Sequence, residues 1–464
     1  MALGLRRPGR GSVAQETVWA SGLEGLQLAI MLLSFTLLGK HLGPAGFAGY
    51  AAMYAIIGIL GGVVYVGVTL SVVQHLVQDR QDLGKVLNSG LGIVLIAGLV
   101  GAALGTLVGD LTIPGLSLPV IASFMFAELM GAATIEVLAS TVFARDGVAM
   151  AARYRVLPLL GRLTILLVLF GTGTLSIAHL GLAYLVMYPV VALGVAASVA
   201  RRYGVVPRPA RPSWSHVRTS GLYATTISAV SLQNDGDKVV MTASKIGPDA
   251  GLYAAAYRLV LMGMVPLRAL LAATHRRFLE HDPDSRGQHV RRSLQFSAVG
   301  AVYGLVFGVC LYVAAPLVTV LLGGEYEGAA TMLRLLAPVV AVRSFAEFGI
   351  NGLLGFGRVA LRTGVTVFAA GTALVLYVVL IPRFGWHGAV AGTYASELVL
   401  AVAAWSTLLV LQRRHDAALD RGEADPDADL PPDPQPDPQP GLQSDPLTAP
   451  ALAGVHEPSR KAEA

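Results

Sequence analysis

The sequence predicts an all-α polytopic membrane protein: twelve transmembrane helices in two six-helix lobes related by a pseudo-twofold repeat. Three observations predict it. Apolar residues make up 54% of the 464 residues and charged residues only 14%, against roughly a quarter charged in soluble domains; mean hydropathy is +0.62. Apolar runs long enough to cross a hydrocarbon core about 30 Å thick, roughly 20 residues each, recur twelve times. One phrase also occurs twice. Lys40-His41-Leu42-Gly43-Pro44 leads on to Tyr50-Ala51-Ala52 and Tyr54, and Lys245-Ile246-Gly247-Pro248 leads on to Tyr253-Ala254-Ala255 and Tyr257. Each copy lies between two apolar stretches and reads as a turn joining two membrane helices. A phrase repeated at that interval means two homologous halves.

In order, the first half places spans near residues 17–39, 46–70, 87–109, 115–140, 155–172 and 178–199. The second half places them near 219–242, 250–274, 293–321, 331–354, 363–381 and 387–411. Residues 1–16 precede the first span. No cleavable signal peptide is expected, because the first apolar run begins near Val18 and is too long for a signal core. Residues 200–218, with Pro207, Pro209 and Pro212 among five arginines, form a basic linker between an N-lobe (17–199) and a C-lobe (219–412). The halves also match at their ends: Pro158 to Val190 parallels Gly364 to Val399. Residues 413–464 are predicted to be a disordered, acidic tail, since repeats such as Pro432-Asp433-Pro434-Gln435 cannot bury a core.

Orientation follows from the loops. Alternate loops carry Arg6, Arg7 and Arg10, then Arg80 and Lys85, then Arg145, Arg153 and Arg155, then the linker arginines, and the pattern continues to Arg413 and Arg414. The opposite side offers Lys40, Lys245, Arg383 and, just inside a span, Arg334. By the positive-inside rule both termini are cytoplasmic. Because six is even, the halves share one orientation, with their repeat axis along the membrane normal. The basic excess sits beside membrane helices, so it points to anionic lipid and away from nucleic acid.

The quoted residues carry a resemblance. Leu42-Gly43-Pro44 with Phe47-Ala48-Gly49-Tyr50 resembles the first outer turn of bacterial polysaccharide-unit flippases. Asp237-Lys238-Val239-Val240, Ile246-Gly247-Pro248 and Gly251-Leu252-Tyr253-Ala254-Ala255-Ala256-Tyr257-Arg258 resemble their seventh-to-eighth helix signature. Ile381-Pro382-Arg383-Phe384-Gly385, Gly388-Ala389 and Ser396-Glu397 resemble the turn into their last helix. The match covers about residues 15–412. It implies the polysaccharide transporter branch of the multidrug/oligosaccharidyl-lipid/polysaccharide exporter superfamily, whose MATE-like fold has two six-helix lobes around a cavity that opens alternately to either side. The implied activity is to flip an undecaprenyl-pyrophosphate-linked oligosaccharide across the bacterial cytoplasmic membrane for surface polysaccharide biosynthesis. The implied partners are that lipid-linked oligosaccharide, membrane lipids, and a polysaccharide polymerase or glycosyltransferases.

Such a substrate needs cationic donors in a hydrated cavity, and ionisable residues deep in a membrane face such a cavity or each other. Arginine suits pyrophosphate because its planar fork donates two parallel hydrogen bonds. Arg258 is the first substrate-binding candidate: it lies about 15 Å beyond the Pro248 turn, where the first copy of the repeat has Ala55. Arg343, Arg162 and Arg268 follow. Against them, Arg343 and Glu347 share a helix face and can neutralise each other, and Arg268 can snorkel to the inner interface. Among the acids, Glu24 and Glu397 are the ion-coupling candidates, with Na⁺ or H⁺ left open, and Asp237 with Lys238 reads as a structural pair. Tyr50, Tyr54, Tyr253 and Tyr257 read mainly as an interfacial aromatic belt.

Other classes are disfavoured. Cys310 is the single cysteine, and the histidines lack metal-ligand spacing. Gly39-Lys40 and Gly84-Lys85 are followed by His41 and Val86, not by the Ser or Thr of a phosphate loop. A membrane enzyme would need a sizeable outer loop, and these are short, so no catalytic residue or cofactor is expected. A cation-coupled multidrug antiporter shares the two-lobe architecture but favours carboxylates over arginines. A peptidoglycan lipid-precursor flippase usually carries two further C-terminal helices.

Overall fold

The computed structural model describes residues 13–279, 288–356 and 359–421, with side chains in the first helix from Gly25 onward. Every regular element in them is helical. The first helix, α1 (Val13–Gly61), is two passes joined at a sharp bend: Gly43 takes φ 62° and ψ 176°, a conformation open to glycine without steric cost. Pro44 follows, with no N–H to continue the helical ladder. The second pass runs on through a π-helical turn, Gly62–Val66, into α2 (Gly67–Val77). The third pass is α3 (Leu83–Thr112), capped by Asp82, which accepts from the Lys85 amide at 3.0 Å. In the fourth pass α4 (Leu118–Phe126) and α5 (Ala133–Asp146) flank a second π-helical turn, Ala127–Ala132. The fifth and sixth passes are α6 (Val148–Gly171) and α7 (Ile177–Tyr203), the latter ending at a left-handed Gly204.

The second half opens with α8 (Trp214–Ala243), so the connection between halves is shorter than the expected 200–218. Gly247 then takes φ 71°, the counterpart of Gly43, and α9 (Pro248–Leu279) follows. The ninth pass, α10 (Gln288–Ala314), stops before Pro316, and the end of the expected 293–321 span becomes a separate short helix, α11 (Leu317–Leu322). The tenth pass is bent by 44° between α12 (Glu327–Leu336) and α13 (Val339–Gly352). α14 (Val359–Phe384) and α15 (Trp386–Arg421) complete the set. α15 corrects the expected tail boundary: residues 413–421 are helical, and the Gln412 amide donates to Asp416 one turn on. The remainder of the expected disordered tail, 422–464, lies outside the described residues.

Nine described helical segments are long and apolar enough to span a membrane, one of them, Gly25–Val77, holding two passes across the Gly43 bend. The bent tenth pass adds one more, and α8 is the twelfth. α8 falls short of membrane hydropathy because it carries Gln233, Asn234, Asp235, Asp237 and Lys238 in succession along its last turns. Those groups face protein: Gln233, Asp237 and Lys238 are buried. A polar run inside a pass is tolerated only where neighbouring helices supply its partners.

Within the first half α2 packs on α5, α3 on α4, and α4 on α7; within the second, α14 packs on α15 and α8, and α13 on α10 and α15. The two lobes meet along α1 and α2 against α8 and α9. Their seams differ in chemistry. On the arginine-rich side the seam is hydrogen-bonded: Tyr223 donates to Gln74 at 3.0 Å, and the Ala210 amide to the Asn88 carbonyl at 2.9 Å. On the opposite side the two repeated turns touch directly. A Cβ on Gly251 would lie 1.8 Å from the Pro44 carbonyl oxygen, so only glycine permits that approach. Tyr326 closes the same end by donating to the Gly39 carbonyl at 3.1 Å.

Candidate functional site

Between the lobes lies a cavity of about 80 Å³, room for a few water molecules in this conformation. Gln27, Ser34, Phe35, Phe47, Tyr50 and Tyr54 line it from α1, Leu159 and Arg162 from α6, and Tyr184 from α7. The other wall is Asp235 and Lys238 from α8, with Ala254, Arg258 and Leu261 from α9. Its surface is mainly apolar and aromatic, interrupted by three cations and one carboxylate. Two of the four expected substrate arginines, Arg258 and Arg162, therefore face one another's lobes across a single space.

Arg162 is held from behind. Glu128, in the π-helical turn of the fourth pass, accepts from Nη2 with both carboxylate oxygens, at 2.6 Å to Oε1 and with a still shorter contact to Oε2. Arg162 Nε donates to the Tyr188 hydroxyl at 2.5 Å. That hydroxyl donates on to Glu128 Oε2 at 3.0 Å, and Tyr54 donates to Oε1 at 2.9 Å. The rings of Tyr54, Tyr184 and Tyr188 stand 5.5–5.8 Å from the guanidinium carbon, within cation–π range. Arg162 and Glu128 are both buried, an arrangement tolerated because each charge is paired and hydrogen-bonded.

The second lobe repeats the theme with different residues. Asp237, fully buried, accepts from Tyr253 at 2.6 Å and from the Lys238 ammonium at 3.0 Å. Lys238 also donates to the Asn234 carbonyl at 2.6 Å and pairs with Asp235 at 3.1 Å, while its ammonium sits 3.9 Å from the Tyr257 ring centroid. Three oxygens thus take up its three donors. In each lobe, a tyrosine of the repeated phrase donates to the acid of a buried acid–base pair, Tyr54 to Glu128 and Tyr253 to Asp237.

This corrects the reading of Tyr50, Tyr54, Tyr253 and Tyr257 as an interfacial belt. All four are buried in protein. They stand four residues apart on the helix face turned inward, and Tyr54 and Tyr253 spend their hydroxyls on buried carboxylates instead of lipid headgroups.

The remaining candidates lie elsewhere. Arg343 is buried in the core of the second lobe, 3.9 Å from Glu347 and 3.6 Å from Glu397, and does not line the cavity. The intrahelical pair foreseen for Arg343 is present, extended by Glu397. Glu397 is itself buried, and its Oε2 has no hydrogen-bond partner among the described residues. Arg268, ten residues beyond Arg258 on α9 and so about 15 Å further along, is also outside the lining. The side chain of Glu24 lies outside the described residues. Asp237 with Lys238 is a structural pair, as read from sequence. The residues passed over are Glu128, Tyr184 and Tyr188. The available signal was that a glutamate inside one pass requires a buried cation from another.

No family model and no curated protein matches this sequence. Solved structures match it in fold. Inward-facing and outward-facing conformations of a multidrug resistance MATE family transporter of the MOP superfamily align at TM-scores of 0.63 and 0.60, each at 16% identity, covering 86% and 88% of this chain and 99% and 98% of theirs. A MOP superfamily transporter from Pyrococcus furiosus, described as having a binding pocket of reverse polarity that suggests a different function, aligns at 0.59 with 14% identity, covering 88% of this chain and 97% of that one. The chain is a multi-pass membrane protein with the twelve-helix, two-lobe fold of the MATE transporters of the MOP superfamily.

Proposed function

We propose that this chain is a flippase that carries an undecaprenyl-pyrophosphate-linked oligosaccharide across the bacterial cytoplasmic membrane by alternating access, with both termini cytoplasmic. The observation that carries the reading is the cavity between the lobes, where Arg162 and Arg258 stand in a mainly apolar and aromatic lining whose other charges, Asp235 and Lys238, pair with each other. Guanidinium groups supply donors for pyrophosphate, tyrosine and phenylalanine rings supply stacking faces for sugar, and apolar walls tolerate the start of a lipid tail. Lys238, committed to three oxygens, holds the wall together instead of meeting substrate. The cavity is too small for a sugar headgroup in this conformation, so the lobes separate to admit one. The seam at Gly251 and Pro44 is where they part when the outer side opens, and the hydrogen-bonded seam on the arginine-rich side is where they part to load substrate.

Coupling falls to Glu397, the expected coupling acid whose surroundings are described. Its Oε2 is buried without a hydrogen-bond partner among the described residues, and a proton or Na⁺ there would offset a charge that Arg343 meets at 3.6 Å.

A cation-coupled multidrug antiporter has one observation in its favour: Asp235 lines the same aromatic cavity. Reconstitution separates the two. Proteoliposomes of the full chain should move a fluorescent lipid-pyrophosphate oligosaccharide between leaflets, and Arg258→Ala should lose that movement at equal protein abundance. Arg258→Lys should recover part of it, because a point charge lacks the fork. Ion-driven efflux of an organic cation with no movement of the lipid would overturn the flippase reading in favour of the antiporter.

A further inference from the structure

The seam on the arginine-rich side brings two histidines, one from each lobe, into ring contact. His75 lies in the last turn of α2 and His216 in the first turn of α8. Their ring centroids stand 4.0 Å apart with the planes at 70°, and both residues are buried. Their hydrogen bonds suit uncharged rings. His216 Nδ1 lies 2.8 Å from Ser89 Oγ, which accepts from the Ser213 amide at 3.1 Å and has its own hydrogen to give the ring. His216 Nε2 then donates to Gln81 Oε1 at 3.3 Å. His75 Nδ1 donates to the Ser71 carbonyl at 2.7 Å, which leaves Nε2 turned toward Asp79 at 3.8 Å. The rings cannot drift apart while the seam is made. The Ser71 hydroxyl donates to the His216 carbonyl at 3.4 Å, and Tyr223 ties the same two helices through Gln74.

Asp79 can balance one imidazolium, at His75. A second, at His216, would face the first across 4.0 Å with little water between them, where like charges repel strongly. Charges on the neighbouring elements do not offset it. Arg80, Asp82, Lys85, Arg218 and the linker arginines are exposed, so solvent and salt screen them. Glu136 on α5 is held by Arg155 at 2.5 Å, and Arg362 on α14 interacts with Glu347. The closed seam therefore accepts one proton where a parted, hydrated seam accepts two. We infer that His75 and His216 form a proton-operated latch: uncharged, they help hold the lobes together on the arginine-rich side, and doubly protonated they drive α2 and α8 apart. Opening takes up a proton, so the closed state keeps its full advantage above the ordinary histidine pKa of about 6.5. Below that, the advantage falls about tenfold per pH unit. This adds a regulation to the alternating-access reading and rests on it for the consequence, that an acidified cytoplasm favours substrate loading.

Spin labels across the seam test it. Arg145→Cys on the first lobe and Arg218→Cys on the second, both exposed sites, carry the labels in a Cys310→Ser background. Double electron–electron resonance on the full chain in lipid nanodiscs then gives the populations of closed and parted distances. From pH 7.5 to 5.5, uptake of one proton at a pKa of about 6.5 should raise the parted-to-closed ratio about tenfold. His75→Gln and His216→Gln each leave one ring without its rival, so each should hold the change below about twofold. Asp79→Asn, at an exposed site, should steepen the response, because the closed seam then lacks a counter-charge for the first proton. A ratio that does not change with pH in the unsubstituted histidine pair would overturn the latch, as would a full response in His216→Gln. If His216→Gln is parted already at pH 7.5, Asp79→Asn decides, and a response no steeper than that of the native pair overturns the latch. The latch and the flippase fail separately. Parting at low pH without lipid movement in proteoliposomes would leave the latch standing and remove the flippase. Lipid movement by a protein whose seam ignores pH would do the reverse.

Discussion

Replacing Gly251 by alanine puts the two-seam description under direct strain. The new Cβ would lie 1.8 Å from the Pro44 carbonyl oxygen, 2.6 Å from its carbonyl carbon and 3.1 Å from its Cα. All three are backbone atoms, so no side chain can rotate away. Restoring ordinary contact requires the first turns of the two repeats to separate by about 1.5 Å, and overpacking of that kind costs about 1–3 kcal/mol. The cost falls only on conformations in which this end is closed. At tenfold per 1.4 kcal/mol, the closed-to-open ratio should fall by about fivefold to a hundredfold. Ser34 lines the cavity and reports that ratio when changed to cysteine in a Cys310→Ser background. A membrane-impermeant thiol reagent applied from the side opposite the arginine-rich loops should label Ser34→Cys faster by that factor once Gly251→Ala is added. An unchanged labelling rate, in protein of normal abundance and helicity, would refute the claim that contact between the repeated turns closes this end.

Further predictions concern the buried pairs and the orientation. Glu128→Gln strands the Arg162 charge and should cost about 3–5 kcal/mol of stability in mixed-micelle unfolding followed by circular dichroism, whereas Glu128→Gln with Arg162→Gln together should cost much less than the sum of the singles; additive losses would mean the two do not act as a pair. Tyr253→Phe removes the hydrogen bond to Asp237 and should cost about 1.5–3 kcal/mol in the same assay; a loss below half a kilocalorie would mean that bond is not made. Single cysteines at Glu325 and Ser285, in the Cys310→Ser background, should be labelled from outside intact cells at position 325 only, and labelling at 285 would overturn the cytoplasmic assignment of the arginine-rich side.

The sequence by itself determined the membrane class, the twelve passes and the duplication, because each rests on signals local to the chain. A bilayer demands a minimum apolar length, so composition within a window locates a pass wherever lipid surrounds it. Even α8 was legible, since its neighbours and the following Gly247-Pro248 turn bracket it. The repeat was legible because Gly43 and Gly247 both occupy a backbone conformation that glycine adopts freely, and such a requirement preserves the residue type in both halves. Helix ends were read less well. The ninth pass ends early at Pro316, and α15 outruns its apolar stretch to Arg421 because side-chain pairs such as Gln412 with Asp416 can continue a helix in water.

The site needed the tertiary structure. Depth along a helix identified Arg258 and Arg162 as buried charges, but depth does not say which way a side chain points. Arg343 is equally deep and turns into the core of its own lobe toward Glu397, 54 positions away in the sequence. Arg162 finds Glu128 across 34 positions and Tyr188 across 26, and Glu128 is presented by a π-helical turn that no residue pattern announces. Tyrosines near predicted helix ends looked interfacial because period and position cannot distinguish a face turned to lipid headgroups from one turned to a buried carboxylate. Lipid and protein interior are both apolar surroundings, so hydropathy locates a helix within the membrane, while the packing of the other eleven passes decides what each of its faces meets.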